Sequence, residues 1–251
     1  MRFVLYNIRY ATGGETIRFP WSGYFRRTRQ TLEQIVAFLK EVQPDIAGLV
    51  EVDAGSYRSD RKNQAQVIAD ELGHYHTYKS KYHHRALIAQ RLPIMNKQGN
   101  AFITRDSITN AEYHYFEKGV KKLVIELELE HLTIFLVHLA LSSRIRHDQL
   151  SDLYALVKDT EKPHIVAGDF NSMWGDKEIR LFLAATGLIN ADPNSQPTFP
   201  SWSPKRQLDF ILHSPEIRTN RFWVPRVLHS DHLPLIYDFE LPDKISATDE
   251  P

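Results

Sequence analysis

Polar side chains recur in this chain at one kind of position, the end of a short apolar run. Asn7 closes Phe3 to Tyr6, Glu51 closes Ile46 to Val50, His138 closes Ile134 to Val137, and Asp169 with Asn171 follows Ile165 to Gly168. Strand ends are rigid, and side chains placed there are fixed better than those on loops. With Asp209 in Gln207-Leu208-Asp209-Phe210 and the pair Asp231-His232, the set holds four carboxylates, two histidines and two amides. Carboxylate oxygens suit a hard divalent cation such as Mg²⁺ or Mn²⁺, and the clustered histidines that favour zinc are missing. Attack of water on a phosphodiester needs a cation on a phosphate oxygen, a base that orients the nucleophile, and donors for the charge that develops. Each role has a candidate here.

The elements that must position these residues alternate between short apolar runs and amphipathic helices. Arg2 to Ile8 and Ile46 to Val52 read as strands; Thr31 to Lys40 reads as a helix, with Thr31 and Gln34 spaced as a capping box and Leu32, Ile35, Val36 and Leu39 on one face. A second helix spans Asn63 to Leu72 and stops at Gly73. Strand-like runs follow at Ala86 to Ala89, Asn100 to Arg105 and Glu112 to Phe116. Val120 to Glu130 alternates as a strand with one wet face, and Leu132 to Leu139 returns as its partner. Helices at His147 to Val157 and Lys177 to Ala185 flank a strand at His164 to Gly168, and further strands are expected at Leu208 to Leu212, Arg221 to Leu228 and Leu233 to Phe239. No repeat or Gly/Ser linker divides the series, so residues 1–244 are expected to form one mixed α/β domain, followed by a tail at 245–251.

Apolar residues make up 42% and charged residues 25%, an ordinary globular composition that excludes a mostly disordered chain. Lys plus Arg equals Asp plus Glu at 31 each, so any contact with a polyanion must be local. The absence of cysteine excludes a disulfide, a thiolate nucleophile and a thiolate zinc site. No run approaches the ~20 apolar residues of a transmembrane helix, and the expected location is cytoplasmic.

The strings Tyr6-Asn7-Ile8, Leu49-Val50-Glu51-Val52-Asp53, Gly99-Asn100-Ala101, His138-Leu139, Gly168-Asp169-Phe170-Asn171, Leu208-Asp209-Phe210-Ile211 and Ser230-Asp231-His232, in this order across residues 6 to 232, closely resemble the signature of the endonuclease/exonuclease/phosphatase (DNase I-like) superfamily. A single Gly-Asp-Phe-Asn or Ser-Asp-His string is weak; the ordered set is specific. The resemblance implies a four-layer α/β/β/α sandwich of two mainly antiparallel sheets. It further implies that Glu51 binds the metal, that Asn7 and Asp231 complete or support that site, and that Asp169 orients and deprotonates the water while Asn171 holds the water or the phosphate. His232 would contact the phosphate with Asp209 fixing its tautomer, and His138 would supply a second donor. Asp53 is a possible outer partner of Glu51 or a surface turn residue beside Gly55. His131, His147, His164, His213 and His229 are expected to be structural.

Substrate choice is less legible, because nucleases, phospholipid headgroup hydrolases and inositol phosphatases share this scaffold. Cations cluster at Arg26, Arg27 and Arg29, at Arg58, Arg61 and Lys62, at Lys79 to Arg85, and at Arg144 and Arg146. The stretch from His138 to Arg144 and Thr198-Phe199-Pro200-Ser201-Trp202 resemble a bacterial subgroup of metal-dependent hydrolases. Arg144, Arg146 and Asn100 are expected to contact substrate, with Trp21 and Trp202 as aromatic contacts for a lipid or a base. The expectation is a Mg²⁺- or Mn²⁺-dependent phosphodiesterase acting on nucleic acid or a lipid headgroup, without an obligate protein partner. The alternatives are a phosphomonoesterase of inositol-phosphate type and a catalytically silent binding module.

Overall fold

A computed structural model of the chain describes residues 1–14, 28–80, 94–173 and 175–242. The apolar run at Ala86 to Ala89, Trp21, Arg26, Arg27, Lys81, His83, His84, Arg85 and the tail 245–251 lie outside the described residues.

Twelve strands and four α-helices occur among the described residues. One six-stranded sheet combines β1 (Arg2–Asn7), β2 (Ile46–Asp53), β3 (Tyr75–Ser80), β4 (Gln98–Thr104), β11 (Arg218–Trp223) and β12 (Leu235–Glu240) in the order β11-β12-β1-β2-β4-β3. The other combines β5 (Asn110–Tyr115), β6 (Leu123–Glu128), β7 (Thr133–His138), β8 (His164–Asp169), β9 (Ile189–Asn190) and β10 (Asp209–His213) in the order β5-β6-β7-β8-β10-β9. Pairing is antiparallel except between β1 and β2 and between β7 and β8.

The strand period of two builds the layers. Phe3, Leu5, Val50 and Phe102 of the first sheet meet Ile125, Leu136, Ala167 and Ile211 of the second in a central core. The opposite face of the first sheet, through Val4, Tyr6, Leu49 and Ile103, is covered by α1 (Arg29–Val42) and α2 (Gln64–Leu72). That of the second, through Val124, Phe135, Val137 and Phe210, is covered by α3 (Ser143–Val157) and α4 (Lys177–Thr186). Each fully buried side chain of this size contributes about 1.5–3 kcal/mol. The result is the expected four-layer α/β/β/α sandwich.

Several boundaries differ from the sequence reading for local reasons. α1 starts at Arg29 after Thr28, and the Thr28 hydroxyl donates to the Arg58 carbonyl, so the Thr31–Gln34 capping box is not used. α2 is capped as expected, by the Asn63 side chain accepting from Ala65 N–H and by Gly73 in the left-handed region. β11 ends at Trp223, because Pro225 lacks the donor and restricts the residue before it. The wet face of β6 is confined to Glu126 and Glu128; α3 buries Val124. Edge strand β3, polar in sequence (Tyr75-His-Thr-Tyr-Lys-Ser80), escaped the apolar pattern. No helix among the described residues is long and apolar enough to cross a membrane.

Candidate active site

Register brings three chemistry-bearing residues of the second sheet into one row. His138 is opposite Asp169 across the parallel β7–β8 pair, and Asp169 is opposite Asp209 across β8–β10. Two residues inward in the same register lie Leu136, Ala167 and Ile211 of the central core, so the row continues the inter-sheet face at its open end. Asn7 does the same for Phe3 and Leu5 on β1. Gly168 makes the close approach of β7 and β8 possible: its φ is +154°, and an added Cβ would fall 1.9 Å from the Val137 carbonyl oxygen.

Glu51 obeys a different rule. Alternation along β2 sends Ala47 and Leu49 toward the helices, and would send Glu51 there too. Instead the β2–β4 register shifts between Leu49 and Val52, Glu51 takes a left-handed φ of 59°, and its side chain lines the inter-sheet cleft. A bulge of this kind re-aims a side chain. Asn100 holds it, its Oδ1 accepting from Glu51 N–H at 3.3 Å. Asn100 is buried and is not among the cleft-lining residues, which corrects its expected role as a substrate contact.

The cleft, about 350 Å³, is lined by Asn7, Arg9, Tyr10, Glu51, Lys121, Leu141, Asp169, Asn171, Asp231 and His232. Asp169 is its hub. Its Oδ2 accepts from Asn7 Nδ2 at 3.1 Å and lies 3.3 Å from His138 Nε2 and 3.8 Å from His232 Nε2, while its Oδ1 accepts from Asn171 N–H at 3.0 Å. Burial favours a protonated carboxyl, but the charge of His232 and the hydrogen bond from His138 overcome it and hold Asp169 well below the usual carboxylate range. His232 faces Asp209 at 2.7 Å through Nδ1, and Thr198 donates to the same Asp209 oxygen at 2.6 Å. Burial opposes the imidazolium, yet Asp209 and Asp169 raise it to about 10. The Phe199 ring packs at 5.0 Å from the imidazole, and Ser201 bonds the Ser230 carbonyl, so the Thr198–Trp202 stretch scaffolds His232. Trp202 itself is exposed.

His138 departs from its expected place. Its ring is buried beneath the cleft, with Nε2 against Lys121 Nζ and Asp169 and Nδ1 3.9 Å from Glu51 Oε1. Burial and Lys121 lower it to about 4, so it is neutral at ordinary pH; Nε2 faces Asp169, while the buried Nδ1 has no hydrogen-bond partner among the described residues. Lys121, which the sequence reading did not single out, lines the cleft in its stead. Its loop is tied by Gln149, whose Nε2 donates to the Lys118 and Lys121 carbonyls.

Arg146 is likewise corrected. Its guanidinium is buried, donates to the carbonyls of Ala140, Leu141 and Asn171, and pairs with Glu178. It fastens the loop after β7 to the loop after β8 and is not among the cleft-lining residues; Arg144 is exposed. Asn171, left-handed at φ 51°, spends its Nδ2 on the Leu139 carbonyl. Asp53 neither lines the cleft nor reaches the surface: it forms a fully buried ion pair with Arg58 at 2.7 Å, which removes Arg58 from the exposed cations. His213 is buried against Tyr237, and His131 and His147 are exposed, none lining the cleft.

Arg9 was also missed. Arg9, Tyr10 and Ala11 are all left-handed, with φ of 45°, 55° and 55°. Such residues cost roughly 1–2 kcal/mol each and persist only where the surroundings hold them. Here Gln64 Nε2 donates to the Tyr10 carbonyl at 2.8 Å, and the Arg58 guanidinium covers the Tyr10 ring at 4.9 Å. The turn sends Arg9 to Asp231, with Nε 3.3 Å from Oδ2.

The donor set fits a hard cation. Glu51 and Asp231 face the same cleft and repel one another: burial first, and Glu51 in addition, push the Asp231 carboxyl up. Asp169, Asp209 and His232 also converge within metal-ligand spacing, but a doubly protonated His232 has no lone pair to give.

The chain belongs to the endonuclease/exonuclease/phosphatase family, whose model matches residues 4–232. Members of this superfamily are phosphoric ester hydrolases, and the family generally uses a divalent metal. A UPF0294 protein of Vibrio vulnificus is 33% identical over 99 residues, 38% of this chain and 33% of that protein, so the match spans about a third of the curated relative's length. Among solved structures, a mannosyl-6-phosphatase of Bacteroides thetaiotaomicron is similar with a TM-score of 0.69 at 16% identity, covering 96% of this chain and 100% of that one. A 3′ phosphatase of Neisseria bound to a product DNA hairpin gives 0.68 at 16% identity, covering 96% and 99%.

Proposed function

We propose that this chain is a Mg²⁺- or Mn²⁺-dependent phosphodiesterase that cleaves its substrate by direct attack of water. The observation that carries this reading is the hub at Asp169, an ionised buried carboxylate flanked by the imidazolium of His232. Asp169 orients the water and accepts its proton, Asn171 and Asn7 fix the Asp169 carboxylate, and His232 donates to the phosphate as charge builds on oxygen. Glu51 would hold the cation, with Asn7 and Asp231 in support, and the cation would supply charge neutralisation at phosphorus. Arg144 is exposed at the start of α3. Nucleic acid and a phospholipid headgroup are the two diester classes in view.

A second reading is favoured by Arg9 and Lys121, which add two cations to the cleft beside His232. That charge suits the dianion of a phosphomonoester, and the two phosphatases similar in fold give the reading weight. A silent binding module is disfavoured, since every group the chemistry needs is present.

The test is hydrolysis of duplex, abasic and single-stranded DNA, RNA, sphingomyelin, a glycerophosphodiester and a sugar phosphate, each with Mg²⁺, Mn²⁺ or EDTA. EDTA-sensitive cleavage of a diester that Glu51→Gln abolishes supports the proposal. Preference for the sugar phosphate selects the second reading, and turnover insensitive to EDTA and to Glu51→Gln rejects both.

A further inference from the structure

We infer that the mouth of the cleft is a docking surface for an anionic lipid bilayer, which seats the catalytic row on the headgroup layer. This rests on the phosphodiesterase reading for its chemistry and chooses between the two diester classes left open there. Three exposed apolar side chains surround the mouth, each from a different loop: Val120 before β6, Leu141 after β7 and Trp202 before β10, at 67%, 57% and 40% exposure. Leu141 lines the cleft, Val120 adjoins the cleft-lining Lys121, and Ser201, beside Trp202, donates its amide N–H to the Asp231 carbonyl at 2.8 Å. Apolar side chains exposed singly need no explanation; three converging on one catalytic opening do.

The loops hold these side chains outward. Gln149 Nε2 donates to the Lys118 and Lys121 carbonyls, at 3.0 and 2.7 Å, on either side of Val120. Arg146 Nη1 donates to the Leu141 carbonyl at 3.1 Å, and Arg226 Nη2 to that of Trp202 at 3.3 Å. A backbone tied down beneath an exposed apolar side chain is a surface ordered in advance, so association loses little conformational entropy.

The segments that carry these residues bear one sign of charge. Residues 118–123, 139–147, 199–208 and 224–230 contain no Asp or Glu, yet they supply Lys122, Arg144, Lys205, Arg206 and Arg226 around the mouth. Of the carboxylates that border them, Asp148 pairs with Lys118 and Asp231 with Arg9. In a chain with equal acidic and basic totals this is a local concentration, and it complements anionic headgroups, where each cation strengthens binding about fivefold. A single-stranded nucleic acid would use the same cations, but its bases stack on aromatic faces. Val120 and Leu141 offer aliphatic surface, which suits acyl chains, and a tryptophan at the rim suits the headgroup level.

The experiment is co-sedimentation of the full chain with vesicles of phosphatidylglycerol and phosphatidylcholine in equal parts and of phosphatidylcholine alone, beside a gel shift with single-stranded DNA. The wild type should bind the mixed vesicles, bind phosphatidylcholine at least about tenfold more weakly, and leave the mixed vesicles as salt rises. Val120→Ser, which alters no charge, and Lys205→Ala should each weaken vesicle binding about fivefold. Both should leave Mn²⁺-dependent turnover of a soluble aryl phosphodiester unchanged. No binding to the mixed vesicles, or binding that Val120→Ser leaves intact, overturns the inference; single-stranded DNA binding weakened by Lys205→Ala would then assign the rim to nucleic acid. Vesicle binding by a chain that does not turn over the soluble diester upholds the docking surface and removes the phosphodiesterase reading. Turnover without vesicle binding does the reverse, which separates the two failures.

Discussion

His232 Nδ1 lies 2.7 Å from Asp209 Oδ2, and this one contact decides which nitrogen of the imidazole is turned toward Asp169 and the cleft. Asp209 is itself held by Thr198, so the orientation is set two residues deep. Asp209→Asn should keep the fold but weaken the charged form of His232. Turnover is expected to fall by about 10²–10⁴ with little change in KM, the range for a misplaced acid or base. A loss confined to KM would show that His232 only binds.

Asn100 acts through the bulge that aims Glu51, not through substrate. Asn100→Ala should weaken divalent-ion affinity by about 10–100-fold, as losses of groups that orient a ligand do. Isothermal titration with Mn²⁺ checks this, and activity should recover at saturating metal. Unchanged metal affinity together with a raised KM would restore Asn100 to the substrate.

Arg146 is a buried tie between two loops. Arg146→Met leaves Glu178 unpaired and three carbonyls without their donor, and should destabilise the fold by about 3–5 kcal/mol. Urea unfolding measures it. Arg144→Ala, at the exposed start of α3, should stay within about 0.5 kcal/mol.

Two histidines give opposite pH slopes. His138 titrates at about 4 when folded against 6.5 otherwise, so between those values the unfolded chain binds the extra proton and stability falls on acidification. His232 titrates at about 10, so its contribution is fully present below 6.5 and is lost as pH rises through 10. Denaturation series in EDTA should therefore show an acid limb removed by His138→Gln and an alkaline limb removed by His232→Gln. Persistence of either limb in its variant would disprove that assignment.

Gly168 on β8 lies directly against the Val137 carbonyl of β7. Gly168→Ala sets a methyl against the Val137 carbonyl and shifts the His138–Asp169 register, at a cost of about 3 kcal/mol or more, since it combines overpacking with a φ that L-residues avoid. Thermal unfolding tests it.

The sequence by itself determined which strands end in polar residues that meet at one cleft. Strand ends at Asn7, His138 and Asp169 were legible because period-two burial is written in the residue order, and their ordered strings named the family. The helix caps at Asn63 and Gly73 were legible for the same local reason. β3 was not, because an edge strand need not be apolar, and its pairing with β4 is a property of the sheet.

What only the tertiary structure decided is direction. Glu51 was singled out from sequence, but strict alternation would face it to the helices; the bulge and its left-handed φ turn it into the cleft. Arg146 and Asn100 read as substrate contacts, but packing commits the first to loop carbonyls and the second to the Glu51 amide. Nothing in the local sequence around Arg9 or Lys121 marks them, and only contacts across the fold, to Asp231 and His138, bring them to the cleft. Local order fixes alternation and caps because those depend on neighbours in the chain. Side-chain aim at a bulge, and the partner of a long cation, depend on groups dozens of residues away that meet only when the two sheets close.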